Sequence, residues 1–225
     1  MTVWVSRGTP VGMRIVLAST SRYRKALLAR VFTPLGLEVE AVAPGVDESL
    51  SADEAALPVV ERATLLAVRK ARAVAQRNDF RDAIVIGSDQ ICVDPDGEVL
   101  HKPGTAARAT AQLGRLAGRT HALVTAVAVI RVLPTATPTE ELATACDIHR
   151  LTMRQLSTEA IARYVALDQP LDCAGSYKLE SLGITLFASI EADPDTADES
   201  AIVGLPLMKT LALLRECFGW DPLSA

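Results

Sequence analysis

Residues 16–32, "VLASTSRYRKALLARVF", begin as a buried strand and continue as a basic amphipathic helix. At the corner between them stand Ser19, Thr20, Ser21, Arg22 and Arg24. A helix N-terminus presents unpaired backbone N–H groups and a partial positive charge, which suit an oxyanion. Ser21 is placed to cap the helix. Ser19 and Ser21 add hydroxyl donors, and Arg24 adds a planar fork able to hold a phosphate by two bonds. Arg22 either assists or is simply solvated. Serine caps and surface arginines are common, so S-x-S-x-x-R marks an anion site only in company.

Working outward, Arg14 to Ala18 reads as the strand entering that corner, and Met13 precedes it directly. Residues 1–12 read as a flexible extension, and residues 13–225 as one domain. Residues 59–76 read as a long helix whose apolar stripe is Ala63, Leu66, Ala67 and Val74. Lys70 falls on that stripe. Burying an unpaired ammonium is costly, so Lys70 either runs its methylenes along the core to reach water or serves a function.

"DAIVIGSDQICVDPDGEVLHKP", residues 82–103, reads as a hairpin turning at Asp94-Pro95-Asp96-Gly97. A symmetric turn pairs Val93 with Glu98 and brings Asp89 opposite Lys102, with Cβ atoms about 5 Å apart. A one-residue bulge would undo that pairing. A cross-strand ion pair on the surface is the plain reading of it. Asp89 sits in an otherwise apolar run, which favours function. Helices at Ala106–Leu116, in "STEAIARYVAL" and in "VGLPLMKTLALLREC", and strands in "HALVTAVAVIRV", "ACDIHRLTMRQL" and after "CAGSYKLE", complete the pattern. Residues 134–139 read as an exposed linker. Alternating strands and helices with hairpins specify one mixed-sheet α/β domain with a cleft.

The totals narrow the function. The chain has 225 residues, 49% of them hydrophobic, and a formal net charge of −4. That balance opposes a general nucleic-acid binder and leaves room for a local basic pocket. No apolar run approaches the roughly 20 residues of a membrane span, and no signal peptide is read at the N-terminus. The four cysteines are widely spaced and read as small, reduced core residues of a cytosolic protein. The three histidines lack zinc-site spacing. A metal here would be a hard cation held by carboxylates, with Asp47 and Glu48 available, and by the substrate itself. An anion cradle, an inward lysine and a paired acid are the parts phosphoryl chemistry needs.

In "LASTSRYRKALL", "VDE", "RKA", "IGSDQICVDPDGEVLHKP", "QLGRLAGRTH", "CAGSYKLESLGITLF" and "IVGLPLMKTLALLR" the chain resembles the Maf family of nucleoside triphosphate pyrophosphatases, from Met13 to Leu223. The resemblance implies an α/β fold of Maf/ITPase kind: a central mixed β-sheet flanked by helices, two lobes around a deep cleft, and assembly as a homodimer. It implies hydrolysis between the α and β phosphates with Mg²⁺, Mn²⁺ or Co²⁺. Asp89 becomes the water-orienting base. Ser19, Ser21, Arg24, Lys70 and Lys102 become phosphate contacts, and Glu48 with Asp89 becomes the metal ligand pair. Three positions depart from the family pattern: Arg22 replaces a proline, and Ala126 and Ser181 replace glycines.

One branch of the family takes dTTP and UTP, another 7-methyl-GTP. Tyr23, Gln90 and Glu180 resemble the second, and Lys178 of "GSYKLE" joins them as a substrate contact. A 7-methylguanine ring is cationic, so Tyr23 can stack on it and the Glu180 carboxylate can accept its N–H donors. The expectation is a cytoplasmic enzyme that clears 7-methyl-GTP or a related modified nucleotide. The alternatives are dTTP/UTP hydrolysis, orthophosphate release, or nucleotide-responsive regulation of septum formation. A pure binder has no use for a carboxylate beside phosphates, so Asp89 separates the last from the others.

Overall fold

Three apolar residues in a row, Ile15, Val16 and Leu17, require a strand covered on both faces, and parallel sheets supply that burial. The computed structural model describes residues 14–133, 139–192, 197–221 and 223. The expected extension at 1–12 and the linker centre at 134–138 lie outside them. Strand β1 (Arg14–Leu17) runs parallel to both β2 (Val39–Ala41) and β3 (Ala83–Val93). With β4 (Val99–Leu100), β5 (Thr120–Leu133), β6 (Thr139–Met153) and β7 (Phe187–Ala192) they form a seven-stranded mixed sheet in the order β2-β1-β3-β5-β6-β7, with β4 on β3. The helices are α1 (Arg22–Phe32), α2 (Ala52–Ala55), α3 (Val59–Ala75), α4 (Ala106–Leu116), α5 (Thr158–Asp168), α6 (Ser200–Val203) and α7 (Leu207–Phe218).

The chain divides into two compact units. The first takes Met1–Asp89, Ala126–Cys146 and Gly204–Ala225, and the second takes Gln90–Thr125 and Asp147–Val203. In the first, α3 buries Ala63, Leu66, Ala67, Lys70, Ala71, Val74 and Ala75, the stripe that the spacing required. Phe32 at the end of α1 stacks on Trp220, ring centroids 5.6 Å apart. In the second, Leu113 and Leu116 of α4 pack with Leu151, Met153, Ile161, Val165 and Leu186. Of the cysteines only Cys92 is buried; Cys146 and Cys173 are half-buried and Cys217 is exposed, so the four-residue core expectation holds for one. No helix among the described residues is long and apolar enough to cross a membrane.

The hairpin corrects the expected register. Cys92 pairs with Leu100 and Val93 with Val99. The Asp94 amide donates to Glu98 O at 2.8 Å, leaving Pro95, Asp96 and Gly97 as a three-residue loop. Gly97 has φ +89°, the left-handed conformation that such loops need at their last residue. Buried Asp94 holds the loop, accepting from the amides of Asp96 and Glu98 and pairing with Arg115. The extra residue shifts every later position by one, and a one-residue slip exchanges the faces of a strand. Lys102 therefore does not stand opposite Asp89; the ladder ends at Leu100, and Lys102 is exposed.

His121 of β5 is 2% exposed, with Nε2 3.0 Å from Tyr177 Oη and Nδ1 without a hydrogen-bond partner among the described residues. Burial, only partly offset by Asp94, lowers its pKa from 6.5 to about 4. The unfolded chain takes up this proton below pH 6.5 while the folded one does not. The stabilisation is thus complete above pH 6.5 and is lost as the pH falls toward 4, a loss of roughly 3 kcal/mol. Urea midpoints at pH 7 and pH 4.5 should fall less for His121→Leu than for the wild type; equal falls would contradict the burial argument.

Candidate functional site

The corner after β1 is built by its own hydroxyls. Ser19 is buried, and its Oγ accepts from the Ser21 amide at 3.1 Å. Ser21 is extended at φ −67°, ψ 116°, and its Oγ caps α1 by accepting from the Arg24 amide at 3.4 Å. The first helical bond, Lys25 N to Ser21 O, leaves the Tyr23 amide with no acceptor among the described residues. Both hydroxyls are engaged as acceptors, so each retains a proton to donate.

Arg24 is half-buried, and much of its fork is committed. Its Nε donates to Gly204 O at 2.7 Å and its Nη1 to Ser88 O at 3.0 Å. Burial lowers its pKa, with Asp89 and then Glu48 opposing the shift. The Ser88 hydroxyl lies 2.8 Å from both Ala126 O and Gly204 O, so this knot joins α1, β3 and the turn before α7. Gly204 has φ +116°, and a Cβ there would lie 3.2 Å from Arg24 Nε.

Asp89 is held from the other side. Residues 87 and 89 share one face of β3, and residues 67, 70 and 71 share one face of α3. At Gly87 the helix presses so close that a Cβ would lie 2.4 Å from Ala67 O and 2.8 Å from Ala71 N. That approach delivers the Lys70 ammonium to Asp89 Oδ1 at 2.6 Å and to Glu48 Oε2 at 2.7 Å. The Lys70 and Asp89 side chains are 7% and 9% exposed, against 55% for Glu48. A buried ammonium is thus neutralised by one buried and one solvated carboxylate, which resolves the inward lysine. Asp89 Oδ2 has no protein partner among the described residues.

The remaining expected residues have partners of their own. Tyr23 is half-buried, and the Arg22 guanidinium lies over its ring, 4.7 Å from the centroid. In the second unit, Gln90 Nε2 donates to Thr125 Oγ1 and to the carbonyls of Ala201 and Ile202, leaving its Oε1 for other partners. Lys178 Nζ donates to Asp168 O at 2.7 Å and Gln169 O at 3.0 Å, closing the C-terminus of α5. Glu180 is exposed, and partial loss of solvent around its carboxyl raises its pKa, with Asp168 adding to the rise. Gly87, Ser88 and Gly204 were not singled out in the sequence, although a glycine inside an apolar strand signals close backbone approach.

A divalent cation has a donor set to meet here. Among the described residues no group of three or more His, Cys, Asp or Glu side chains could hold a metal by itself. Glu48 and Asp89 are drawn to one ammonium, so they are close together, and both are hard oxygen donors. Mg²⁺ needs only one or two carboxylates when phosphate oxygens and water complete its shell. The pair fits such an ion.

A family model described as Maf-like protein matches residues 14–217. A protein of Aromatoleum aromaticum named 7-methyl-GTP pyrophosphatase is 45% identical over 202 residues, covering 90% of this chain and 94% of its own. One of the same name from Xanthomonas campestris pv. campestris is 44% identical over 203 residues, covering 90% and 95%. Another from Idiomarina loihiensis is 38% identical over 210 residues, covering 93% and 97%. Among solved structures, a HAM1 protein from Coxiella burnetii covers 91% of this chain and 99% of its own at 16% identity and TM-score 0.49.

Gly87→Ala should force α3 off β3 and cost about 1–3 kcal/mol, the usual range for overpacking. Thermal unfolding would show a lower Tm, whereas an unchanged Tm would mean that the contact at Ala67 and Ala71 yields without strain.

Proposed function

The chain belongs to the Maf family, and on that premise we propose that it is a nucleoside triphosphate pyrophosphatase acting on 7-methyl-GTP or a related modified nucleotide. The observation that carries this reading is the Lys70 ammonium bridging Asp89 and Glu48, tied through Ser88 and Arg24 to the α1 N-terminus. In this reading the polyphosphate lies at that N-terminus, where the Ser19 and Ser21 hydroxyls and the first-turn amides donate to its oxygens. Lys70 fixes the rotamer of Asp89 through Oδ1, so Oδ2 is left to orient water and accept its proton. As the water oxygen bonds to the α-phosphorus, the bridging bond to the β-phosphate breaks and pyrophosphate leaves with the electron pair. Glu48 and Asp89 would hold a divalent cation, which supplies neutralisation of phosphate charge when bound.

Base recognition by Tyr23, Gln90, Lys178 and Glu180, and a phosphate contact from Lys102, rest on the family resemblance. Homodimer assembly and residence in the cytoplasm belong to the same reading. A carboxylate at Glu180 and an aromatic face at Tyr23 favour a cationic purine over a neutral pyrimidine.

The test is a panel of 7-methyl-GTP, GTP, dTTP and UTP with Mg²⁺ or Mn²⁺, scored separately for pyrophosphate and orthophosphate. Pyrophosphate from 7-methyl-GTP is expected. Asp89→Asn should lower kcat by a factor on the order of 10²–10⁴, the range for a lost general base. The variant should still fold, read by circular dichroism, because Lys70 keeps Glu48 as a partner. Orthophosphate as the product, or full activity in Asp89→Asn, would overturn the reading.

A further inference from the structure

A glutamine can meet a base with the donor end of its amide or with the acceptor end, and the second unit fixes which end Gln90 has to offer. Gln90 is half-buried, and its Nε2 lies 2.9 Å from Ala201 O, 3.1 Å from Ile202 O and 3.0 Å from Thr125 Oγ1. Carbonyl oxygens only accept, so the amide atom facing two of them is the nitrogen. Oε1, the other end of the amide, meets no donor among the described residues. Both carbonyls belong to α6, whose four residues make too few internal bonds to hold the helix by themselves. One end of α6 is tied to Asp198, whose carbonyl accepts from the Ala201 amide at 2.8 Å and whose Oδ1 accepts from the Ser200 amide at 3.2 Å. Thr125 of β5 ties it to the sheet. Its hydroxyl is buried, the residue being 1% exposed, and donates its one proton to Ala201 O at 2.9 Å. With that proton committed, Oγ1 can only accept from Gln90. A single hydroxyl thus anchors the helix and receives the amide.

Resting on the reading of Gln90 as a base contact of the pyrophosphatase, we propose that Thr125 is a positioning residue that holds the Gln90 amide with its oxygen free for the nucleotide, so that the enzyme takes the base through its ring N–H. An amide able to turn over would offer donor and acceptor alike and would discriminate against neither. Held, it presents an acceptor alone. A base edge that brought a second acceptor to that atom would leave two lone pairs opposed and unsatisfied, which is how a polar site rejects a wrong ligand.

The test uses the best-cleaved nucleotide among 7-methyl-GTP, GTP, dTTP and UTP, each of which carries a ring N–H. KM and kcat for pyrophosphate release are measured for the wild type, Thr125→Val, Thr125→Ser, Gln90→Met and the combined Thr125→Val and Gln90→Met variant. The Tm of each is recorded, with the Kd of inorganic tripolyphosphate as a ligand without a base. Thr125→Val should raise KM about three- to tenfold, the worth of one neutral hydrogen bond, with kcat and the tripolyphosphate Kd held. Thr125→Ser, which keeps the hydroxyl, should restore KM. Added to Gln90→Met, Thr125→Val should raise KM no further, because its effect passes through the amide. Methylation of the ring N–H should cost the wild type more than it costs Gln90→Met. An unchanged KM in Thr125→Val or in Gln90→Met overturns the proposal, and so do equal losses in either of the last two comparisons. A fall in kcat and in tripolyphosphate binding in step with a lower Tm overturns it as well, since that marks a purely structural hydroxyl. Those results leave the pyrophosphatase reading standing while the wild type still releases pyrophosphate; no turnover of any of the four nucleotides removes both.

Discussion

A lysine ammonium with both partners in place is what the first unit is organised around. Lys70 is almost fully buried, and a charge there persists only with compensation within hydrogen-bond reach. Asp89 and Glu48 supply it at 2.6 and 2.7 Å. The position of Asp89 therefore depends on how closely α3 approaches β3, and that depends on the missing side chain at Gly87. A single carboxylate is held between a helix on one face of the strand and the Ser88–Arg24–Gly204 knot reached through the preceding residue.

The chemistry follows from this arrangement. A carboxylate with one oxygen bonded to an ammonium and the other open to partners has a defined direction in which to accept a proton. The α1 N-terminus of the same unit, whose serines retain their protons, has the donors that the proposed polyphosphate would need. The second unit offers different groups: an amide with only its oxygen available at Gln90, and a carboxyl at Glu180 whose pKa is raised by partial loss of solvent.

The elements were legible where periodicity is strong. The α3 stripe and its lysine, the Ser21 cap and the bounds of α4 follow from spacing and local capping chemistry. Lys70 was open between snorkelling and function because its partners, Glu48 and Asp89, lie 22 and 19 residues away with no local pattern joining them. The Asp89–Lys102 pairing failed for a local reason. Whether Asp94-Pro95-Asp96-Gly97 closes over two residues or three depends on Gly97 turning left-handed and on Asp94 gathering two amides and Arg115 from α4. Arg24 reads in the sequence as a phosphate fork, and its two carbonyl acceptors, 64 and 180 residues away, leave no trace near it there.

The most direct test is a double-mutant cycle on unfolding free energy with Lys70→Met, Asp89→Asn and the pair combined. If the buried contact governs this site, the coupling will reach about 1 kcal/mol or more, as for side chains that share one ion pair. Additivity within about 0.3 kcal/mol, the behaviour of independent sites, would contradict it.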